Sequence, residues 1–477
     1  MKIFDGLRPL QTVEFLMMVL LAVAIPVHWF AAQCGEAGLL LCAVLKYVFD
    51  QKFHFNKEQL KFKWAYIIFA LTWVIYFIGM IYTYNQSEGW VQVTKKLGFL
   101  IFPVIFIFSD MSYITKDRFR AICYAFVAGC ILFFLMNLCY AFYDVIFNNA
   151  SSARFFDEEL MKILPVQHSY MSMYAGFCLM FCFIEIFKNK NRNVKIINAL
   201  IYITLVVMII LLSSRAGLIW MVITFIIQWV WLTFVIKKKT IGIIVGCIFI
   251  VTVLVSWKMF PQSAERFKLT VMKLTTKNQS DHRLIQFKGY KEVIEENWLF
   301  GVGTGDRFDE IEASYLRYKE DIIKEIGQEM AGEIDKYIDI EKEYYEPWPS
   351  MRENIMAKAV KYGRDPETVN KYIIDYMYIC YAIDKETNAH NMFIETLISV
   401  GVVGVLLLLA YFVLPIVLWI RQKRFDILFF TFLMMIFFNA MFESIFERQL
   451  GIIFFCFFNA LLFKMNFIGV ESTKNNE

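Results

Sequence analysis

The sequence predicts an all-α polytopic membrane protein with about 12 transmembrane helices and one large helical periplasmic loop between spans 9 and 10. Of its 477 residues, 58% are hydrophobic and 19% are charged, against about 45–50% and about 25% in soluble domains. The apolar residues form long blocks, and the 49 Phe and 24 Tyr suit a chain solvated by lipid. This composition excludes a water-soluble enzyme, a disordered regulator and a nucleic-acid-binding domain.

A hydrocarbon core about 30 Å thick needs about 20 helical residues to cross it. The candidate spans lie at 11–32, 36–50, 64–84, 97–113, 121–146, 169–187, 196–213, 216–236, 241–259, 392–420, 427–442 and 450–464. The predicted organisation is therefore nine spans in 1–259, a polar loop in 260–391, three spans in 392–465 and a short cytoplasmic tail in 466–477. The first span lacks a small-residue cleavage site and is expected to be retained.

Lys and Arg set the expected orientation. They cluster in the short loops after spans 2, 4, 6, 8 and 10, as at 237–239 and 421–424. These loops are assigned to the cytoplasm, and the 260–391 loop then lies on the outer face. Helical spacing in 311–340, the break at Pro347 and Pro349, and a second helix over 367–383 predict a small helical cap.

Three residues are the candidate catalytic set. Arg215 lies at the outer junction of two spans, Arg283 precedes the cap helices, and His390 stands where the loop re-enters the membrane. Each also has a non-catalytic interpretation when it is considered alone. Arg215 could extend its side chain to lipid headgroups, Arg283 could be a solvated loop residue, and His390 could be an interfacial histidine. On one face, however, two guanidiniums can hold a diphosphate while an imidazole takes a proton.

Further candidate substrate-binding residues share this predicted face: Lys95, Lys96, His168, Gly301, Gly303 and Asn391. The run Gly301-x-Gly303-x-Gly305 suits phosphate binding through backbone N–H groups, with a tight turn after a helix as the alternative. Glu447 and Arg448 favour an internal salt bridge over catalysis.

These motifs resemble the O-antigen ligase/polymerase superfamily of bacterial envelope glycosyltransferases. The resemblance covers about 90–465, and its motifs are Ser-Arg-Ala-Gly at 214–217, Arg283 with Trp298-x-x-Gly-x-Gly-x-Gly, and His390-Asn391-x-Phe393-x-Glu395 with Gly401-x-x-Gly404. Lys95-Lys96-Leu97 before Pro103 and Glu447-Arg448-Gln449-x-Gly451 add to it. The acidic stretch 309–346 has no counterpart in it.

The resemblance implies a metal-independent, cofactor-free, inverting glycosyltransferase in the bacterial inner (cytoplasmic) membrane, with an active site facing the periplasm. Its donor would be an undecaprenyl-diphosphate-linked glycan. Arg215 and Arg283 would contact the diphosphate, and His390 would be the general base or would position the acceptor hydroxyl. The expected partners are this donor, membrane lipids and an acceptor, which is lipid A–core or a second lipid-linked glycan.

An O-antigen ligase that transfers to lipid A–core is the favoured interpretation. The alternative is a polymerase of O-antigen or capsule repeat units, which shares the donor chemistry. A polysaccharide transporter or flippase is disfavoured. Transporters place ionisable residues near the midplane and often contain repeated halves, whereas the notable charges here are expected at the outer interface and the sequence shows no repeat.

Overall fold

The computed structural model describes residues 3–50, 57–109, 111–164, 166–247, 282–338, 349–385 and 388–468. Two compact units divide the chain. The first, here called the membrane unit, comprises Met1–Trp73, Lys95–Met272 and Leu407–Glu477. The second, the cap unit, comprises Val74–Thr94 and Lys273–Leu406. The described residues of both units form helices and turns without β-strands, which confirms the all-α prediction.

The helices in chain order are α1 (Pro9–Val27), α2 (Trp29–Asp50), α3 (Lys57–Gly79), α4 (Gln86–Lys95), α5 (Gly98–Phe108), α6 (Lys116–Phe147), α7 (Asp157–Leu160), α8 (His168–Lys188), α9 (Arg192–Leu212), α10 (Arg215–Val230), α11 (His282–Asn297), α12 (Arg307–Ile326), α13 (Gln328–Asp335), α14 (Pro349–Lys361), α15 (Pro366–Asp384), α16 (Met392–Gln422), α17 (Ile427–Phe442) and α18 (Gln449–Phe467). A π-helical turn, Trp231–Val235, extends α10.

Nine helices in the described part of the chain are long and apolar enough to cross a membrane: α1, α2, α3, α6, α8, α9, α10 with its π-helical turn, α16 and α18. This is the architecture of a multi-pass membrane protein. Within the described residues the count is nine, or ten with one broken pair, where the sequence predicted twelve spans for the whole chain.

Three predicted spans account for the difference. The 97–113 span is shorter, because α5 has 11 residues and covers about 16 Å at 1.5 Å per residue; only the pair α4 and α5 passes as a span. The 427–442 span is the 16-residue α17, which is also short. The 241–259 span is helical to residue 247, and the rest lies outside the described residues.

The membrane unit is organised around α18, in which every residue from Gly451 to Lys464 is buried. Phe rings supply much of the packing, as between Phe126 and Phe458, whose ring centroids are 4.9 Å apart. A charged pair is also buried among these helices. Glu14 is fully buried, forms an ion pair with Lys46 and accepts a 2.5 Å hydrogen bond from the Tyr113 hydroxyl. The pairing offsets the cost of a carboxylate in hydrocarbon.

The cap unit has its own hydrophobic core. Along α12 the buried residues Ile311, Tyr315, Ile322 and Ile326 recur at helical spacing, so one face packs inward while the charged face stays in water. The helix predicted over 311–340 ends at Ile326, because Gly327 has a φ of +89°, and a second helix, α13, begins at Gln328. The helix predicted over 367–383 is confirmed as α15, and Asp365 caps its start by accepting from Thr368 N–H.

The cap unit extends beyond the predicted 260–391 loop. It includes Val74–Thr94 and continues to Leu406. One cause is Asp306, a buried residue whose carboxylate accepts the backbone N–H groups of Tyr84 at 2.8 Å and Asn85 at 2.6 Å. A carboxylate held by amides on a distant segment joins that segment to the unit, and hydropathy does not report such a contact.

Candidate functional site

A glycine loop packs against a break in α16. The break lies at Val400 and Gly401, whose φ and ψ angles are −135°, 16° and 69°, −169°. Facing it, Gly301 has a φ of +74°, and a Cβ there would lie 2.5 Å from the backbone of Val400. A Cβ at Gly401 would collide with the Leu299 carbonyl. Both positions therefore require glycine for conformation and for space.

The backbone amides of the glycine loop are donated within the cap unit. Gly301 N–H donates to Asn297 O at 2.8 Å, Val302 N–H to Ile398 O at 2.8 Å and Gly303 N–H to Ser399 O at 3.1 Å. A phosphate at Gly301 and Gly303 would have to displace these carbonyl acceptors. The hydrogen bonds therefore favour the tight turn that the sequence offered as the alternative.

Arg307, which follows this loop, forms a buried ion pair with Glu395 of α16. Arg307 Nη1 lies 2.5 Å from Glu395 Oε2, and the side chains are 4% and 0% exposed. The other carboxylate oxygen accepts the Ala389 N–H at 2.5 Å. Sequence reasoning missed Arg307, although Glu395 belongs to the quoted motif. The position of Arg307 two residues after Gly305 could have identified it as a candidate. The sequence does not show that its partner is Glu395.

The pair borders the turn that carries His390. His390 has a φ of +45°, its N–H donates to Asn388 Oδ1 at 3.1 Å, and its side chain is partly buried. Asn391, predicted to bind substrate, caps the start of α16. Its Oδ1 accepts the N–H groups of Phe393 at 3.0 Å and Ile394 at 3.1 Å. The histidine is therefore held between a capped helix and a carboxylate-bound amide.

Arg283 lies in the first turn of α11, and its side chain is outside the described part of the structure. One helical turn later, Gln286 Nε2 donates to Asn388 O at 3.3 Å. The backbone of Arg283 is thus one turn from a residue that contacts the His390 turn, so the cap unit brings these two predicted residues to one region.

In the membrane unit, α10 begins at Arg215. Ser213 has a φ of +49°, and Ser214 caps the helix by accepting from Gly217 N–H at 3.3 Å. The Arg215 side chain lies outside the description. Gly217 packs so closely on Ser172 of α8 that a Cβ would collide with it, which places the first turn of α10 against the first turns of α8.

His168 is the first residue of α8, and its Nδ1 lies 3.7 Å from carboxylate oxygens of Asp157 and Glu158. Its backbone carbonyl accepts from Ser172 Oγ at 2.8 Å. Because Ser172 is also the neighbour of Gly217, His168 and the start of α10 lie at the same end of the membrane unit.

Lys96 pairs with Glu447, Nζ to Oε1 at 3.1 Å, and only 1% of its side chain is exposed. A nearby carbonyl, Ile445 O, accepts from the Tyr170 hydroxyl of α8 at 3.2 Å. Lys96 is therefore the buried partner of the Glu447 carboxylate, for which the sequence had favoured a salt bridge with Arg448. Lys95 is half-buried beside it.

The predicted residues thus form two groups, one in each unit. His168, Lys96 and the first residue of α10 share one end of the membrane unit. The His390 turn, the glycine loop and the first turn of α11 share one region of the cap unit. Among the described residues, no cluster of three or more His, Cys, Asp or Glu side chains has the arrangement of a metal site.

No model of a known protein family matches the chain, and no curated protein matches it at a significant level.

Proposed function

We propose that this chain is a membrane glycosyltransferase. It transfers a glycan from undecaprenyl diphosphate to an acceptor hydroxyl on the outer face of the bacterial inner membrane. The main support is the His390 turn. A buried Arg307–Glu395 pair and the Asn391 cap hold it, and it contacts α11 one turn from Arg283. Preorganised support around a histidine is what a general base requires.

The chemistry needs a base and a charge-stabilising group. The acceptor oxygen attacks the anomeric carbon, the bond from that carbon to the diphosphate oxygen breaks, and the configuration inverts. His390 takes the hydroxyl proton, and the electron pair leaves with undecaprenyl diphosphate. Arg215 and Arg283 stabilise the charge that develops on the leaving group. We propose lipid A–core as the acceptor, and a second lipid-linked glycan, which would make the protein a polymerase, as the alternative.

A reconstituted assay tests the proposal. Purified protein in liposomes receives a defined undecaprenyl-diphosphate-linked glycan and one of two acceptors, lipid A–core or a second lipid-linked glycan. Transfer to the first acceptor identifies a ligase, and chain extension on the second identifies a polymerase. Movement of labelled lipid across the bilayer without any transfer would instead support a flippase and contradict the proposal.

Single substitutions test the assigned roles. Arg215→Ala and Arg283→Ala should each abolish transfer at unchanged expression, because the leaving-group charge loses its partner. His390→Ala should lower turnover more than donor binding. Arg317→Ala is the matched control, since Arg317 is an exposed arginine of α12 that pairs with Glu292. An active Arg215 or Arg283 variant would contradict the proposed contact of that arginine with the diphosphate. A large loss of donor affinity in His390→Ala would contradict the assignment of His390 as the general base.

A further inference from the structure

Two turns of the cap unit expose large apolar side chains. The turn 81–84 presents Ile81, 83% exposed, and Tyr84, 94% exposed. The turn 298–300 presents Trp298, Leu299 and Phe300, which are 55%, 41% and 61% exposed. Single exposed apolar side chains are common on protein surfaces. Five of them on two short turns form a patch, and such a patch indicates an interaction surface.

Hydrogen bonds join the two turns into one surface. The Tyr82 hydroxyl donates to Phe300 O at 2.6 Å. Behind it, Thr304 Oγ1 donates to Tyr76 O at 2.6 Å, and Asp306 accepts the Tyr84 N–H. Hydrogen bonds therefore hold the backbone of the two turns that carry the exposed side chains. A rigid apolar surface needs no induced ordering before it meets a partner.

Both turns adjoin the ends of membrane-spanning helices. The turn 81–84 begins two residues after Gly79, where α3 ends. Trp298 O accepts the N–H of Val402, in the apolar helix α16. Turns cannot lie within lipid hydrocarbon, because their backbone groups need partners, so turns next to span ends lie at the boundary of the membrane. Trp, Tyr, Phe and Leu are the side chains enriched at that depth.

We propose that the turns 81–84 and 298–300 insert into the boundary between headgroups and acyl chains and anchor the cap unit to the bilayer. The occupant of this surface is bulk membrane lipid. The insertion also fixes the depth of the glycine loop, which directly follows the turn 298–300, and of the α16 break, since the Val402 N–H donates to Trp298 O. This contact with lipid does not depend on glycan transfer.

Photo-crosslinking tests this contact. The full chain, with p-benzoylphenylalanine replacing Phe300 or Tyr84, is reconstituted into nanodiscs of phosphatidylethanolamine and phosphatidylglycerol and irradiated. Mass spectrometry then measures covalent phospholipid adducts. The matched control replaces Tyr362, an aromatic residue of the same unit that is 39% exposed and follows the basic residues Lys358 and Lys361 of α14. Adducts at positions 300 and 84 should exceed those at 362 at least about tenfold.

Adduct yields at 300 and 84 that match the control would overturn the proposal, as would a crosslink to a second protein chain in place of lipid. Monodisperse elution of each variant establishes that it is folded. Tyr84 is almost fully exposed, so its replacement disturbs no packing and decides the question if the Phe300 variant does not fold.

Discussion

Arg307 and Glu395 show how much a single pair of residues contributes to the cap unit. Their charges are almost completely removed from solvent. Removing one partner of a buried pair costs about 3–5 kcal/mol, because the other charge stays buried without compensation, whereas an exposed pair contributes about 0–1 kcal/mol. The pair also supplies the acceptor for Ala389 N–H, next to His390.

Arg307→Met should therefore lower the thermal unfolding temperature strongly, and the double variant Arg307→Met/Glu395→Leu should regain part of the loss. Transfer activity should not return in the double variant, since Ala389 N–H has lost its acceptor. Intrinsic fluorescence during heating in detergent measures the first effect, and the liposome assay measures the second. Arg317→Met, at the exposed pair with Glu292, is the control; an equal loss there would contradict the argument.

Glu333 predicts a pH dependence of stability. Hydrogen bonds from Lys358 and Lys336 lower the pKa of its carboxyl from 4.5 to about 2. A depressed carboxyl pKa stabilises the fold above the unfolded value, and the stabilisation disappears as the pH falls from about 4.5 toward 2. Glu333→Gln should thus be less stable than the unsubstituted chain at pH 7, and the two unfolding temperatures should converge toward pH 2.

The exposed Glu320 offers the comparison for this titration. Glu320→Gln should shift the unfolding temperature little at any pH. If the difference in unfolding temperature between Glu333→Gln and the unsubstituted chain stays constant from pH 7 to pH 2, the pKa of the Glu333 carboxyl is not lowered by its lysine partners.

At the scale of elements, α16 contains two helices. Its 31 residues would extend about 46 Å at 1.5 Å per residue, well beyond a core about 30 Å thick. The break at Val400 and Gly401 leaves 402–422, which is about 31 Å long and matches the core. The turn before the break belongs to the cap unit. We therefore expect Gly401 to set the end of this membrane span.

Gly401→Ala tests this role. Its φ and ψ fall in a region that costs a non-glycine residue about 1–3 kcal/mol, and the new Cβ would collide with Leu299 O. We expect a clear loss of thermal stability and of transfer. Gly332→Ala is the matched control, because Gly332 lies inside α13 with no neighbour within 4 Å of an added Cβ; that change should stabilise by about 1 kcal/mol. A tolerated Gly401→Ala would mean that the break is not required.

At the scale of the whole molecule, the membrane topology follows from Lys and Arg in the short loops. The segment between α14 and α15 is expected outside. The end of α16 and the segment that follows it, with Arg421, Lys423 and Arg424, are expected inside. Reporter proteins fused to the chain truncated after Gly363 or after Lys423 test on which side of the membrane each segment lies. Alkaline phosphatase should be active only after Gly363, and green fluorescent protein should fluoresce only after Lys423. Identical behaviour of both sites would refute the orientation and the outer-face active site.

The sequence by itself determined the all-helical, multi-pass architecture, the position of the cap helix α15 and the residues worth testing, because hydropathy, helical period and capping are properties of short segments. The number of spans stays a prediction, because α5 and α17 are short and the 241–259 span lies partly outside the described residues. Only the tertiary structure decided that Arg307 pairs with Glu395, that Lys96 pairs with Glu447, and that the glycine-loop amides are already donated. Each of these joins segments far apart in the chain, and a buried charge or amide takes its partner from the fold, which no local pattern encodes.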